Sequence, residues 1–136
     1  MKMTSDNKAK FQLLYDEILN KGNLEAFEQL CAPNFVKHAI PPSPDYGIEG
    51  SKQSVLMLRN AFPDIKYTVD DMIEDGDKLV ARWSAKGTHK GEFMGIPPTG
   101  RQVAFTGIEI IRVKDGKAIE EWEELDRAGL MQQLTR

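Results

Sequence analysis

The sequence predicts an α+β fold in which N-terminal helices pack on a curved, mainly antiparallel sheet that encloses an apolar pocket. Three observations carry this: helical spacing in the first half of the chain, two-residue alternation in the second, and turn signals between the alternating runs. A length of 136 residues suits one domain, spanning 1–136 and built around one core.

Phe11, Leu14, Tyr15, Ile18 and Leu19 recur at helical spacing over residues 6–21, and Gly22 follows as a stop. Asn23 offers an N-cap for a short second helix through Leu30 that ends at Cys31, and Pro33 keeps it from running on. Phe35 to His38 is a short apolar piece leading into the proline-rich loop Ile40–Gly47. Ser51 is placed to cap a third helix carrying Val55, Leu58 and Phe62 on one face. Then the period changes. Ile65, Tyr67 and Val69 alternate, as do Leu79, Ala81, Trp83 and Ala85, with Asp75-Gly76-Asp77 turning between them. Val103, Phe105, Ile108, Ile110 and Ile111 form a third strand if Gly107 marks a bulge, and Asp115-Gly116 turns into a fourth, Lys117 to Asp126. Ala128 to Leu134 reads as a terminal helical turn. A bulged sheet covered by helices leaves a concave mouth, which predicts the pocket.

Composition excludes several classes. Eighteen Lys and Arg against 21 Asp and Glu, a net charge of −3, lack the basic excess that nucleic-acid binding needs. The polar opening Met1-Lys-Met-Thr-Ser-Asp-Asn-Lys and the absence of any long apolar run predict a cytoplasmic protein with no membrane partner. Cys31 is the one cysteine, so no internal disulfide or cysteine cage forms, and core filling is its expected role. The two histidines, His38 and His89, show no ligand spacing, and neither GxGxxG nor GxxxxGK[ST] occurs; no metal and no cofactor are expected.

In a meander the second and fourth strands end at the same sheet edge, two spacings or roughly 10 Å apart, which places His89 near Asp126. Alternation puts His89 on the face of Trp83, and Asp126 on the face of Ala118 and Trp122. With the tryptophans inward, an imidazole and a carboxyl meet at an apolar mouth, where desolvation raises a carboxyl pKa toward general acid–base use. Trp83, Trp122, Phe105 and His38 are then the candidate substrate-binding residues. Two bland readings stand beside this one: Asp126 as N-cap of the helix that follows, and His89 as a turn residue in Gly87-Thr-His-Lys-Gly91. Glu120, Glu121, Glu123 and Glu124 read as a solvated strand edge.

Gly87-Thr-His-Lys-Gly-Glu-Phe-Met-Gly-Ile-Pro-Pro-Thr-Gly-Arg101, Asp115-Gly-Lys-Ala-Ile-Glu-Glu-Trp-Glu-Glu-Leu-Asp126 and Gln133-Leu134 together resemble the SnoaL-like polyketide (ester) cyclases of the nuclear transport factor two superfamily. Phe62-Pro-Asp64, Gly76-Asp77 and Gly47-Ile-Glu-Gly50 extend the likeness over nearly the whole chain. The resemblance implies the cone fold shared with scytalone dehydratase and ketosteroid isomerase, and a homodimer or higher homo-oligomer. It implies Asp126 as general acid–base with His89 beside it, and an intramolecular aldol ring closure on an apolar methyl ester, without metal or cofactor. The same frame carries hydrolases, isomerases, dehydratases, binding proteins and interaction modules. A non-catalytic small-molecule binder is therefore the alternative, and a dimeric interaction module using its sheet face is a third reading.

Overall fold

The computed structural model describes residues 6–136; the opening residues Met1 to Ser5 lie outside them. Helix α1 (Asp6–Leu13) continues as a π-helical segment, Leu14–Leu19, and turns Phe11, Leu14, Tyr15 and Ile18 into the core. Gly22 ends it in the left-handed region at φ +78°. The orphan carbonyls behind it are met by Arg59, whose guanidinium donates to Leu19 O at 2.7 Å and Asn20 O at 2.9 Å. Asn23 precedes a 3₁₀ turn, Leu24–Ala26, but its side chain makes no capping bond. That turn enters the short α2, Phe27–Leu30.

Cys31 does not close this helix. It opens strand β1 (Cys31–His38), whose residue Pro33 is tolerated because β1 is an edge strand, irregularly paired between Cys31 and Val36. Cys31 is buried, and burial, then the nearby Glu121 charge, pushes its thiol up to about 12, as suits a core position. Helix α3 (Ile48–Ala61) begins three residues before the expected cap, and Ser51 lies within its first turn, donating to Gly47 O at 3.0 Å. Strands β2 (Lys66–Asp75), β3 (Lys78–Thr88), β4 (Gln102–Lys114) and β5 (Lys117–Leu125) follow, then α4 (Arg127–Thr135).

The five strands lie in the order β1-β5-β4-β3-β2, with β1 parallel to β5 and every other pair antiparallel. The sheet is open, and helices packed on its concave face complete an α+β cone. Two bulges bend it, one at Asp70 and one at Ile119, where pairing passes from Arg112↔Glu120 to Val113↔Ala118. Gly107, by contrast, keeps regular register opposite Trp83. Its missing side chain makes room instead: a Cβ there would lie 2.3 Å from Trp83 Cζ2.

Where β5 ends, the edge of β4 is covered by a side chain. The Gln133 amide donates to Ala104 O and accepts from Ala104 N, both at 2.8 Å, pairing as a strand would. This docks α4 beside β4, with Leu130 and Leu134 in the core.

Candidate active site

On β4 the buried positions are Val103, Phe105, Gly107, Glu109, Ile111 and Val113. One carboxylate stands in that apolar row. The Ile119 bulge inserts one residue into β5, so the side chains sharing the face of Glu109 beyond it are Glu121 and Glu123, while Trp122 turns outward. Glu109 pairs with Glu123 across the ladder, and Lys37 of β1 pairs with Glu121. Three carboxylates and an ammonium therefore converge beneath the helices. One oxygen from each of Glu109, Glu121 and Glu123 lies within 4.8 Å of the others. Lys37 Nζ sits 2.9 Å from Glu123 and 3.4 Å from Glu121. Lys37 thus supplies a counter-charge to two of the three carboxylates.

Tyr15, from the π-helical segment, donates its hydroxyl to Glu109 Oε1. Burial first, then the charges of Glu121 and Glu123, holds the Glu109 carboxyl well above the usual range. Tyr15 is raised by burial and by Glu109 beside it, and Tyr67 by burial and by Glu123. Burial works against the charge on Lys37, but Glu121 and Glu123 more than offset it and its pKa rises. The cluster thus combines a carboxyl that burial pushes toward its protonated form, two carboxylates beside an ammonium, and two phenols. Trp83 packs against it through Tyr67, with ring centroids 4.9 Å apart, and meets Phe105 edge-on at 5.8 Å.

The residues expected from the sequence are divided among separate places. Trp83, Phe105 and His89 are inside. His89 Nδ1 accepts from Thr99 N at 3.2 Å and lies 3.0 Å from Thr99 Oγ1, and its ring packs on Phe62, which ties down the 89–101 loop. Asp126 is exposed and caps α4, accepting from Gly129 N at 2.9 Å. The two do not meet. Asp126 N donates to Thr106 O of β4 and His89 N to Arg101 O just before that strand, five residues apart, or roughly 17 Å along the chain. β3 outruns β5, so the shared edge expected of the meander is absent, and the bulge turns Asp126 to the face opposite Glu121 and Glu123. His38 and Trp122 are likewise outside, stacked at 5.1 Å, and not in the interior site. His38 Nδ1 lies 2.9 Å from Asp45 and Nε2 2.7 Å from Glu120, which also takes two bonds from Arg112 at 2.8 Å. These hydrogen bonds, Glu120 first, raise the His38 pKa.

Sequence reasoning missed Glu109, Glu121, Glu123, Lys37 and Tyr15 as a group. The signal was a lone Glu at an inward position of β4, visible once Gly107 is read without a bulge. Two surface clefts lie apart from the cluster, one lined by Leu13, Asn20 and Ile65, the other by Cys31, Ile48 and Lys117.

Residues 9–134 match the family model for the SnoaL-like polyketide cyclase. The chain belongs to that family. It is similar to the aklanonic acid methyl ester cyclase DnrD of Streptomyces peucetius, at 28% identity over 96% of this chain and 79% of that one. Among solved structures it resembles wild-type IdmH, a putative polyketide cyclase from Streptomyces antibioticus, at 34% identity and TM-score 0.84, covering 97% of this chain and 100% of the other. The fold is shared with a putative SnoaL-like polyketide cyclase from Jannaschia at TM-score 0.88 and 22% identity, covering 99% and 98% of the two chains. No helix among the described residues of this SnoaL-like protein is long and apolar enough to cross a membrane.

Proposed function

We propose that this SnoaL-like protein closes a ring on an apolar carbonyl substrate by cofactor-independent general acid–base chemistry, and that the Tyr15–Glu109–Glu121–Glu123–Lys37 cluster carries it. The supporting observation is the buried Glu109, whose carboxyl is pushed toward its protonated form within 4.8 Å of two carboxylates that share the single ammonium of Lys37. Pairs of titratable groups with opposed environments divide acid from base. In this reading Glu123 accepts the proton from the carbon next to the substrate carbonyl. The enolate carbon then bonds to a second carbonyl carbon, whose oxygen takes the proton of Glu109. The proton on Glu123 passes back to Glu109, and the cluster is restored with no net proton gained or lost. Asp126 serves the fold as a cap, and His89 holds the loop.

The test uses aklanonic acid methyl ester, the compound in the names of the curated relatives. Ring closure is followed by chromatography. Glu109→Gln is expected to slow it by about 10²-fold or more, and Asp126→Asn to leave it within about twofold. Full turnover by Glu109→Gln would refute the assignment, and binding without conversion by the wild type would favour the small-molecule binder.

We further propose that the protein forms a homodimer through the sheet face opposite the helices. Ile73, Val80, Ile110 and Trp122 align in register across four strands there, and Ile73 and Ile108 are 54% and 47% exposed. Arg82, Arg112, Glu120 and Glu124 border this row with both signs of charge, which a two-fold pairing can match. Ile108→Glu is expected to halve the mass measured by sedimentation.

A further inference from the structure

Two buried side-chain polar atoms have no hydrogen-bond partner among the described residues, Trp83 Nε1 and His89 Nε2. The His89 ring is already engaged through Nδ1 in its loop. Trp83 is different: its nitrogen is its only polar atom, and an indole N–H donates and never accepts. Buried tryptophans usually find an acceptor for this group, and each that does not calls for an explanation.

The position of the nitrogen is fixed by its neighbours. A Cβ on Gly107 would meet Trp83 Cζ2 at 2.3 Å and Cε2 at 2.7 Å, so the indole edge that carries Nε1 lies over Gly107. The next inward residue on β4 is Glu109, and the preceding one is Phe105, whose ring meets the indole edge-on. Tyr67 closes the other side at 4.9 Å. The fold therefore holds one unpartnered donor, walled by aromatic rings, one strand step from the Glu109 carboxyl.

We infer that the Trp83 indole N–H is the hydrogen-bond donor for a carbonyl oxygen of the bound ligand, and that it selects planar aromatic ketones over hydrocarbons of the same shape. The inference rests on the placement of the site at Glu109 and deepens that reading. A donor here adds to ligand binding without competing for the proton, because the carboxyl and phenol beside it are engaged with each other. As negative charge grows on that oxygen during enolisation, the same bond strengthens.

The test uses binding alone, so it is separate from turnover. Protein labelled with ¹⁵N at the indole nitrogens is titrated with 9-fluorenone and with fluorene, which lacks the carbonyl. Trp122, outside on the sheet, serves as the internal reference, and Trp122→Phe assigns the two signals. The Trp83 N–H signal is expected to move downfield with fluorenone and not with fluorene, and the ketone to bind about fivefold or more tighter. Trp83→Phe keeps an aromatic ring and should erase that preference. Equal affinities in the wild type, a preference that survives Trp83→Phe, a Trp83 signal that fluorenone leaves in place, or failure of both compounds to bind would each overturn the inference. The wild-type shift needs no variant, so poor folding of Trp83→Phe does not blunt the test. If Glu109→Gln leaves ring closure intact while the ketone preference depends on Trp83, the acid–base reading fails and this one stands.

Discussion

Replacing Glu109 by Gln tests the protonation state on which the chemistry depends, and the expected effect follows from linkage. A carboxyl whose folded pKa lies above its unfolded one contributes stability that is full below the unfolded value, about 4.3, and is lost as pH rises toward the folded value. Glu109 is fully buried and raised, first by burial and then by Glu121 and Glu123. Each pH unit inside that window costs the wild type about 1.4 kcal/mol, because the unfolded chain releases a proton that the native state keeps. The glutamine of Glu109→Gln has no proton to release. Its carbonyl still accepts from Tyr15 and its amide still donates toward Glu121, so near pH 5 the two proteins should differ by about 1 kcal/mol or less. From pH 5 to pH 7 the variant should gain on the wild type by up to about 3 kcal/mol. Urea unfolding across that range, with the two midpoints compared at each pH, measures the gap. A gap that stays constant would mean that Glu109 is ionised in the native protein, and the division of acid from base within the cluster would fall.

Lys37→Met should cost about 3–5 kcal/mol in urea unfolding at pH 7, since it strips the counter-charge from Glu121 and Glu123, and adding Glu121→Gln should recover part of that loss. Asp126→Ala should cost about 1 kcal/mol by thermal melting through loss of the α4 cap, whereas Asp126→Asn, which still accepts from Gly129 N, should cost only a few tenths. His38 should titrate by NMR above the ordinary value of about 6.5, and Glu120→Gln should move that midpoint down. Because its folded pKa is raised, its tie to Asp45 is present below the unfolded value and lost as pH rises through the folded one.

How much of this was legible varies by element. Strands β2 to β5 could be read because alternation and the turns at Gly76 and Gly116 are local features of the chain. Strand β1 could not be read in full, since Cys31 joins it by pairing with Ala118, far along the sequence, and no local pattern encodes that choice. The site was lost to one residue of register, twice. A bulge assumed at Gly107 turned Glu109 outward, and overlooking the real bulge at Ile119, which no glycine marks, left Trp122 inward in the reading and Glu121 outward. With period two, each such slip exchanges the core for the solvent, so a buried carboxylate and a solvated strand edge carry the same sequence signal.

The charge balance of the interior gives the reason to place function there. Removing one glutamate would leave Lys37 with fewer carboxylates and lower the desolvation cost, and a well-packed apolar replacement of a buried ionic group is often neutral or stabilising. The protein instead keeps three carboxyl groups around the single ammonium of Lys37, two more than charge balance needs, with burial pushing the one bonded to Tyr15 toward its protonated form. Asp126 shows the opposite economy: its carboxylate is exposed, satisfied by Gly129, and accounted for by the helix it caps. Local rules that are broken without structural gain mark functional positions more reliably than rules that are kept. By that criterion Glu109 and its neighbours are the positions at which the proposed proton chemistry is to be tested first, with the unpartnered Trp83 N–H one strand step away.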